Sequence, residues 1–216
     1  MEDNIIVTLS GKAHSGKDLV GQMIKKYLEE LGMSGFTIAF ADQLKNHCMR
    51  NFGYVDKDKD RKILQDFGTR VREIEPDFWA LQVYHTIDAF RSMFDWFIIT
   101  DARYKNEISL FPYNVAYPIV NIYVKRDVES GLTEEEQAHE SEQLATNPNL
   151  DEDFHFIIDN NGAIEETYEQ VMDIVNTILM QKADFVHQLE DMQPELLEKL
   201  KEVMNKMQLK EGDVDA

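Results

Sequence analysis

The stretch Leu9-Ser10-Gly11-Lys12-Ala13-His14-Ser15-Gly16-Lys17-Asp18 constrains this chain more than any other. A short β-branched run, Ile5 to Leu9, precedes it. From Asp18 onward Leu19, Val20, Met23, Ile24, Tyr27, Leu28 and Leu31 recur at helical spacing, and Gly32 offers a stop. Strand, glycine-bearing loop, helix is the context that a phosphate-cradling G-x-x-x-x-G-K loop requires. Glycine lets the backbone turn tightly and aim its N–H groups at an anion, and the helix N-terminus adds the positive end of its dipole. Lys17 then reaches the outer phosphates of a nucleoside triphosphate. The plainer alternative is a turn into a helix that binds nothing, and the flanking strand and helix favour the nucleotide. Asp18 stands where a Ser or Thr normally meets magnesium.

The chain has 216 residues, enough for one sizeable domain with an appendage, and its 43% hydrophobic share is enough for a packed core. A formal net charge of −19 argues against nucleic acid as a partner, because gripping phosphates along a strand needs clustered Lys and Arg. An anionic substrate must therefore sit in a local cationic pocket. The single cysteine, Cys48, excludes an internal disulfide and fits a reducing compartment. There is no basic-then-apolar leader and no apolar run of about 18 residues, so the expectation is a soluble cytoplasmic protein with no membrane partner.

Further along, Phe36 to Ala41 reads as a second strand, with a helix following through Phe52. The alternating carboxylates of Asp56-Lys57-Asp58-Lys59-Asp60 fail as a calcium loop, since Arg61 and Phe67 occupy the positions of its glycine and bidentate Glu. They read as a charged turn. Arg70 and Arg72 precede Phe78-Trp79, with Arg72 suited to phosphate and the aromatic pair to a base; surface ion pairs and a core tryptophan are the plainer reading. Trp96 to Thr100 is a strong strand ending in Asp101-Ala102-Arg103. Ligands of open α/β sheets bind outside the carboxyl ends of the strands, which suits Asp101 to magnesium and Arg103 to a phosphate. A helix-capping role is the alternative for Asp101. Ile119 to Val124 and Phe154 to Ile158 complete the strands, and Ile164 to Leu179 reads as a covering helix. Between them Thr133-Glu134-Glu135-Glu136 fits a capping box opening a polar segment with little to anchor it, as in a lid. His139 has no metal-spaced partner. Beyond Lys182, Leu196, Leu200, Val203 and Met207 form a stripe that packs either on the domain or on a second copy in a homodimer. Strands alternating with helices predict a three-layer α/β domain with a mainly parallel sheet.

These pieces, in this order, resemble the phosphate-loop nucleoside monophosphate kinases, most closely the bacteriophage-type deoxynucleoside monophosphate kinases. The resemblance is carried by Ser10 to Asp18, Phe40-Ala41-Asp42-Gln43-Leu44-Lys45, Gly68-Thr69 through Arg72 to Trp79, Thr100 to Glu107, His139 to Glu142 and Asn160-Asn161-Gly162, and covers roughly residues 4 to 180. Gln43 and Glu140 stand where that family often has proline, whereas an Asp after the loop lysine is common in it. The resemblance implies a five-stranded parallel sheet flanked by helices over residues 1–182, and it omits the remainder, 183–216, which the sequence itself reads as an acidic helical tail. It places an acceptor region at about 43–95 and a lid at about 126–152. It further implies that Gly11, Lys12, Ala13, His14, Ser15, Gly16 and Lys17 hold ATP, with Asn161 and Gly162 on the adenine side. On the acceptor side it implies Asp42, Lys45, Gln65, Arg70, Arg72, Phe78, Trp79, Arg103 and Glu142, with Arg126 beside the transferring group and Asp18 and Asp101 as magnesium carboxylates.

The expected activity is thus Mg²⁺-dependent transfer of the terminal phosphoryl group of ATP to a deoxynucleoside 5′-monophosphate, in the cytoplasm (the host's, for a viral protein). Mg²⁺, Lys17, Arg103 and Arg126 would neutralise the developing charge, and Asp18 or Asp101 would hold the metal's water shell. Rival readings are a phosphate-loop kinase with another acceptor, such as a phosphomevalonate-like molecule or a modified base in DNA, and a nucleoside-triphosphate hydrolase or nucleotide-binding regulator.

Overall fold

The computed structural model describes residues 4–53, 61–109, 119–127 and 150–191. The charged turn at 56–60, the Thr133 cap, His139, Glu142, the lid segment through residue 149 and the tail stripe from Leu196 lie outside these residues.

Five described strands form one parallel sheet: β1 (Ile5–Ser10), β2 (Gly35–Ile38), β3 (Trp96–Ile99), β4 (Ile119–Lys125) and β5 (Phe156–Asp159), in the order β2-β3-β1-β4-β5. Strand β1 lies at the centre, with Val7 opposite Ile98 on one side and Val120 on the other. Every residue of β1 and β3 is buried, as expected of apolar runs covered on both faces. Helix α1 (Lys17–Glu30) covers one face, its Gly21 lying against Leu9 and Ile98. The opposite face carries Ile6, Phe97, Ile99 and Tyr123 into a core with Trp79, Val83 and Ile87 of α4 (Phe78–Phe90). Helices α2 (Phe40–Phe52) and α3 (Arg61–Ile74) lead into α4, and the short α5 (Lys105–Ile108) follows β3. Helix α6 (Leu150–Asp153) precedes β5, and α7 (Ile164–Asp191) follows it. The three-layer α/β arrangement with a five-stranded parallel sheet is as expected.

Three boundaries differ from the sequence reading. Strand β2 ends at Ile38, and Phe40 and Ala41 already belong to α2. The cause is Asp101, whose Oδ1 and Oδ2 accept the backbone N–H groups of Phe40 and Ala41 at 2.8 Å each. Strand β5 starts at Phe156, while Phe154 is buried against the Tyr123 ring at 5.2 Å. Helix α7 runs unbroken past Lys182 to Asp191. The chain divides into one compact unit through Val175 and a second from Asn176 onward, whose described part is the continuation of this helix.

Candidate functional site

Parallel strands bring all their carboxyl ends to one edge of the sheet. The loop after β1, the Asp101–Tyr104 turn after β3, Lys125–Asp127 after β4 and Asn160–Gly162 after β5 therefore share that edge. Strands β1 and β3 are neighbours whose onward connections leave in opposite directions, to β2 and to β4, which is where crevices open in such sheets.

The loop from Gly11 to Gly16 is shaped by left-handed backbone at both ends: Gly11 has φ +149°, and Gly16, at the N-cap of α1, has φ +92°. A Cβ at Gly11 would lie 2.4 Å from the Val124 carbonyl oxygen, so only glycine fits there. Lys17 folds back over the loop and donates from Nζ to the carbonyls of Gly11 and Lys12, 2.8 Å each. His14 is exposed, with φ +62°. Ser15 is fully buried, and among the described residues its hydroxyl has no hydrogen-bond partner. An oxygen of that kind, at the mouth of a helix N-terminus, has the chemistry of a phosphate contact. Asp18 is exposed in the first turn of α1, where the helix dipole favours a carboxylate.

Asn160, named in the sequence only among the residues that carry the resemblance and given no role, supports this loop from beneath. Its Nδ2 donates to the Ser15 carbonyl at 2.8 Å, its backbone N–H donates to Lys125 at 2.8 Å, and its Oδ1 accepts from Thr167 at 3.0 Å. It is so close that a Cβ at Gly16 would lie 2.3 Å from Nδ2. A contact across 145 positions leaves no local signal. Asn161 links the two neighbouring strand ends: Oδ1 accepts the Asp127 N–H at 2.8 Å, and Nδ2 donates to Asp159 at 2.7 Å and Asp127 at 3.2 Å. These bonds hold the Asp159 carboxyl below its ordinary range. Gly162 is exposed beside Asn161, and Arg126 is exposed at the end of β4.

The second cluster centres on Glu107 of α5. This carboxylate is 1% exposed. Its Oε1 accepts from Arg72 Nη2 at 2.8 Å, and its Oε2 accepts the backbone N–H groups of Arg103 at 2.8 Å and Tyr104 at 3.2 Å. The Arg72 guanidinium also lies over the Tyr104 ring, 3.8 Å from its centroid. Burial pushes the Glu107 carboxyl up to about 7, against the opposing pull of Arg72 and the Arg103 N–H. Burial likewise raises Asp101, against the N–H groups of Ala41 and Phe40 and the charge of Arg103. Both Asp101 oxygens are thus engaged in a capping role, on α2 rather than on the helix that follows it. The sequence placed Arg72 and Arg103 here and missed Glu107, because an acidic residue in a short helix carries no signal of a partner 35 positions away.

Trp79 does not line an open wall. It is 2% exposed, with Nε1 donating to the Gly68 carbonyl at 3.2 Å and its ring packed edge-on against Phe78, Phe67 and His47. The plainer core reading holds for it. Phe78 and His47 keep partial exposure, as do Gln65 and Lys45, while Arg70 and Asp42 are exposed. Lys45 is paired with Asp42 at 3.0 Å. No helix among the described residues is long and apolar enough to cross a membrane.

No family model matches the chain, and no curated protein matches it. Among solved structures it is similar to a shikimate kinase from Acinetobacter baumannii in complex with shikimate, at 16% identity and a TM-score of 0.47, covering 84% of this chain and 96% of that one. It is also similar to a dephospho-CoA kinase from Campylobacter jejuni, at 14% identity and a TM-score of 0.47, covering 82% and 98%. Similarity at this level says nothing of what this chain binds.

Proposed function

We infer that this chain is a phosphotransferase that moves the terminal phosphoryl group of ATP to a small anionic acceptor, a deoxynucleoside 5′-monophosphate. The observation that supports it best is the pair of cation-bearing assemblies along one sheet edge. One is the Gly11–Asp18 loop with Lys17, and the other is the Arg72–Glu107–Arg103 cluster after β3. A hydrolase needs the first and has no use for the second.

The loop's N–H groups and the Ser15 hydroxyl would hold the triphosphate, and Lys17 would exchange its carbonyl partners for phosphate oxygens. Arg72 and Arg103 would hold the acceptor phosphate, aligning it for attack, and Arg126 at the end of β4 would meet charge developing on the transferred group. An acceptor that is already ionised needs no strong general base. Magnesium takes few carboxylates and keeps several waters, and two oxygen donors here fit it: Asp18 at the loop's end, and Asp101 through water, since both Asp101 oxygens already accept N–H groups. When bound it would neutralise charge on the triphosphate.

The deciding experiment is ADP release with and without a panel of deoxynucleoside 5′-monophosphates. Acceptor-dependent release is expected. Release indifferent to acceptor would make the chain a hydrolase, and absence of release would make it a nucleotide-binding protein without transfer.

A further inference from the structure

A buried carboxylate that meets an arginine on one oxygen and two backbone N–H groups on the other fixes the relative placement of the elements it touches. Glu107 does this for α3, through Arg72, and for the turn carrying Asp101 and Arg103. Stacking on Tyr104 sets the plane of the Arg72 guanidinium, and the Glu107 bond occupies one corner of its fork. A planar fork with its plane and one corner fixed has lost most of its rotamer freedom before a ligand arrives, so little ordering remains to oppose binding.

We propose that Glu107 is a positioning residue of the acceptor site, holding Arg72 and the Arg103 backbone in one geometry so that both arginines meet a single phosphate. This rests on the phosphotransferase reading above and deepens it. The charges acting on the carboxylate are Arg72 from α3 and Asp101 from the turn, and Arg103 acts in turn on Asp101. Protonation of Glu107 removes the ion pair with Arg72 and leaves only a weaker bond from the guanidinium to a neutral carboxyl oxygen, loosening the fork. Glu107→Gln mimics this state, since its amide keeps an oxygen for the turn but opposes Arg72 with an N–H.

The test compares the unaltered chain with Glu107→Gln, using equilibrium titration of the common deoxynucleoside 5′-monophosphates and of ATP alongside steady-state turnover. The variant is expected to bind monophosphate about tenfold more weakly and to raise the acceptor KM correspondingly, with ATP affinity changed less than about twofold. In the unaltered chain the acceptor KM should rise as the pH is lowered from about 8 to about 6, beyond what the ligand's own ionisation produces. In the variant only the ligand's contribution should remain. Equal monophosphate affinity in the two proteins overturns the role of Glu107, as does a parallel loss for ATP and monophosphate, which is what a merely structural brace would give. If the unaltered chain neither binds nor turns over any monophosphate, the phosphotransferase reading fails, and this proposal with it.

Discussion

The triphosphate loop and the arginine cluster are both cation-bearing, yet they are held by different means. Lys17 rests on two backbone carbonyls of its own loop, within six positions in sequence. Arg72 rests on a buried carboxylate 35 positions away, and on a ring from the same turn. The loop is a local structure placed by the central strand, whereas the cluster exists only once α3 has packed against the β3–α5 turn. Substitutions in the loop should therefore change chemistry with little loss of fold. Substitutions in the cluster should change fold and affinity together.

The largest expected effect is Lys17→Ala. Loss of one preorganised electrostatic partner should cost transfer about 3 kcal/mol, some hundredfold in kcat, with the thermal midpoint nearly unchanged. Turnover near that of the unaltered chain would remove Lys17 from the reaction. Next, Arg72→Ala leaves Glu107 buried without its counter-charge. Stability should fall by about 2 kcal/mol, less than for a fully enclosed pair because the carboxyl can take up a proton, and monophosphate affinity should fall far more than ATP affinity. If calorimetry shows the larger loss for ATP, Arg72 serves the triphosphate instead, and the contrast between the two regions collapses.

Asn160→Ala sharpens the contrast from the other side. It removes the bonds to Ser15 and Thr167 beneath the loop and should destabilise by about 1–2 kcal/mol while weakening ATP more than monophosphate, as read by denaturant unfolding and titration. The smallest effect is a slope in stability with pH. Glu107 holds its proton up to about 7 when folded and releases it near 4.5 when unfolded, so between those values the folded chain binds more protons. Its contribution to stability therefore declines as pH rises across that interval and levels off above it. Comparing melting curves of the unaltered chain and Glu107→Gln should show this slope only in the former.

What the sequence revealed follows the same division. The loop was legible because its glycines, lysine, preceding strand and following helix are contiguous. The parallel sheet was legible from Ile5 to Leu9 and Trp96 to Ile99, runs too apolar to face water on either side. The end of β2 was not, because the signal that turns Phe40 and Ala41 into helix is the carboxylate of Asp101, sixty positions on. Asp101 was recognised as important on the grounds that it ends a strand, but its partners were invisible. Trp79 beside Phe78 looked like a base platform, and only packing shows its indole turned into the core with its N–H satisfied by Gly68. Glu107 and Asn160 stood among the residues carrying the resemblance but were given no role of their own, for one shared reason: each has a decisive partner far away in sequence, the Arg72 side chain for Glu107 and the Ser15 carbonyl for Asn160.

The central claim is that the loop and the cluster serve one reaction between two bound phosphates. It is tested most directly by following the label from ATP carrying a radioactive terminal phosphate, in the presence of magnesium and each deoxynucleoside 5′-monophosphate in turn. The account predicts label in a deoxynucleoside diphosphate, in amounts that depend on the acceptor supplied. Label recovered only as inorganic phosphate, at the same rate with and without acceptor, would contradict it.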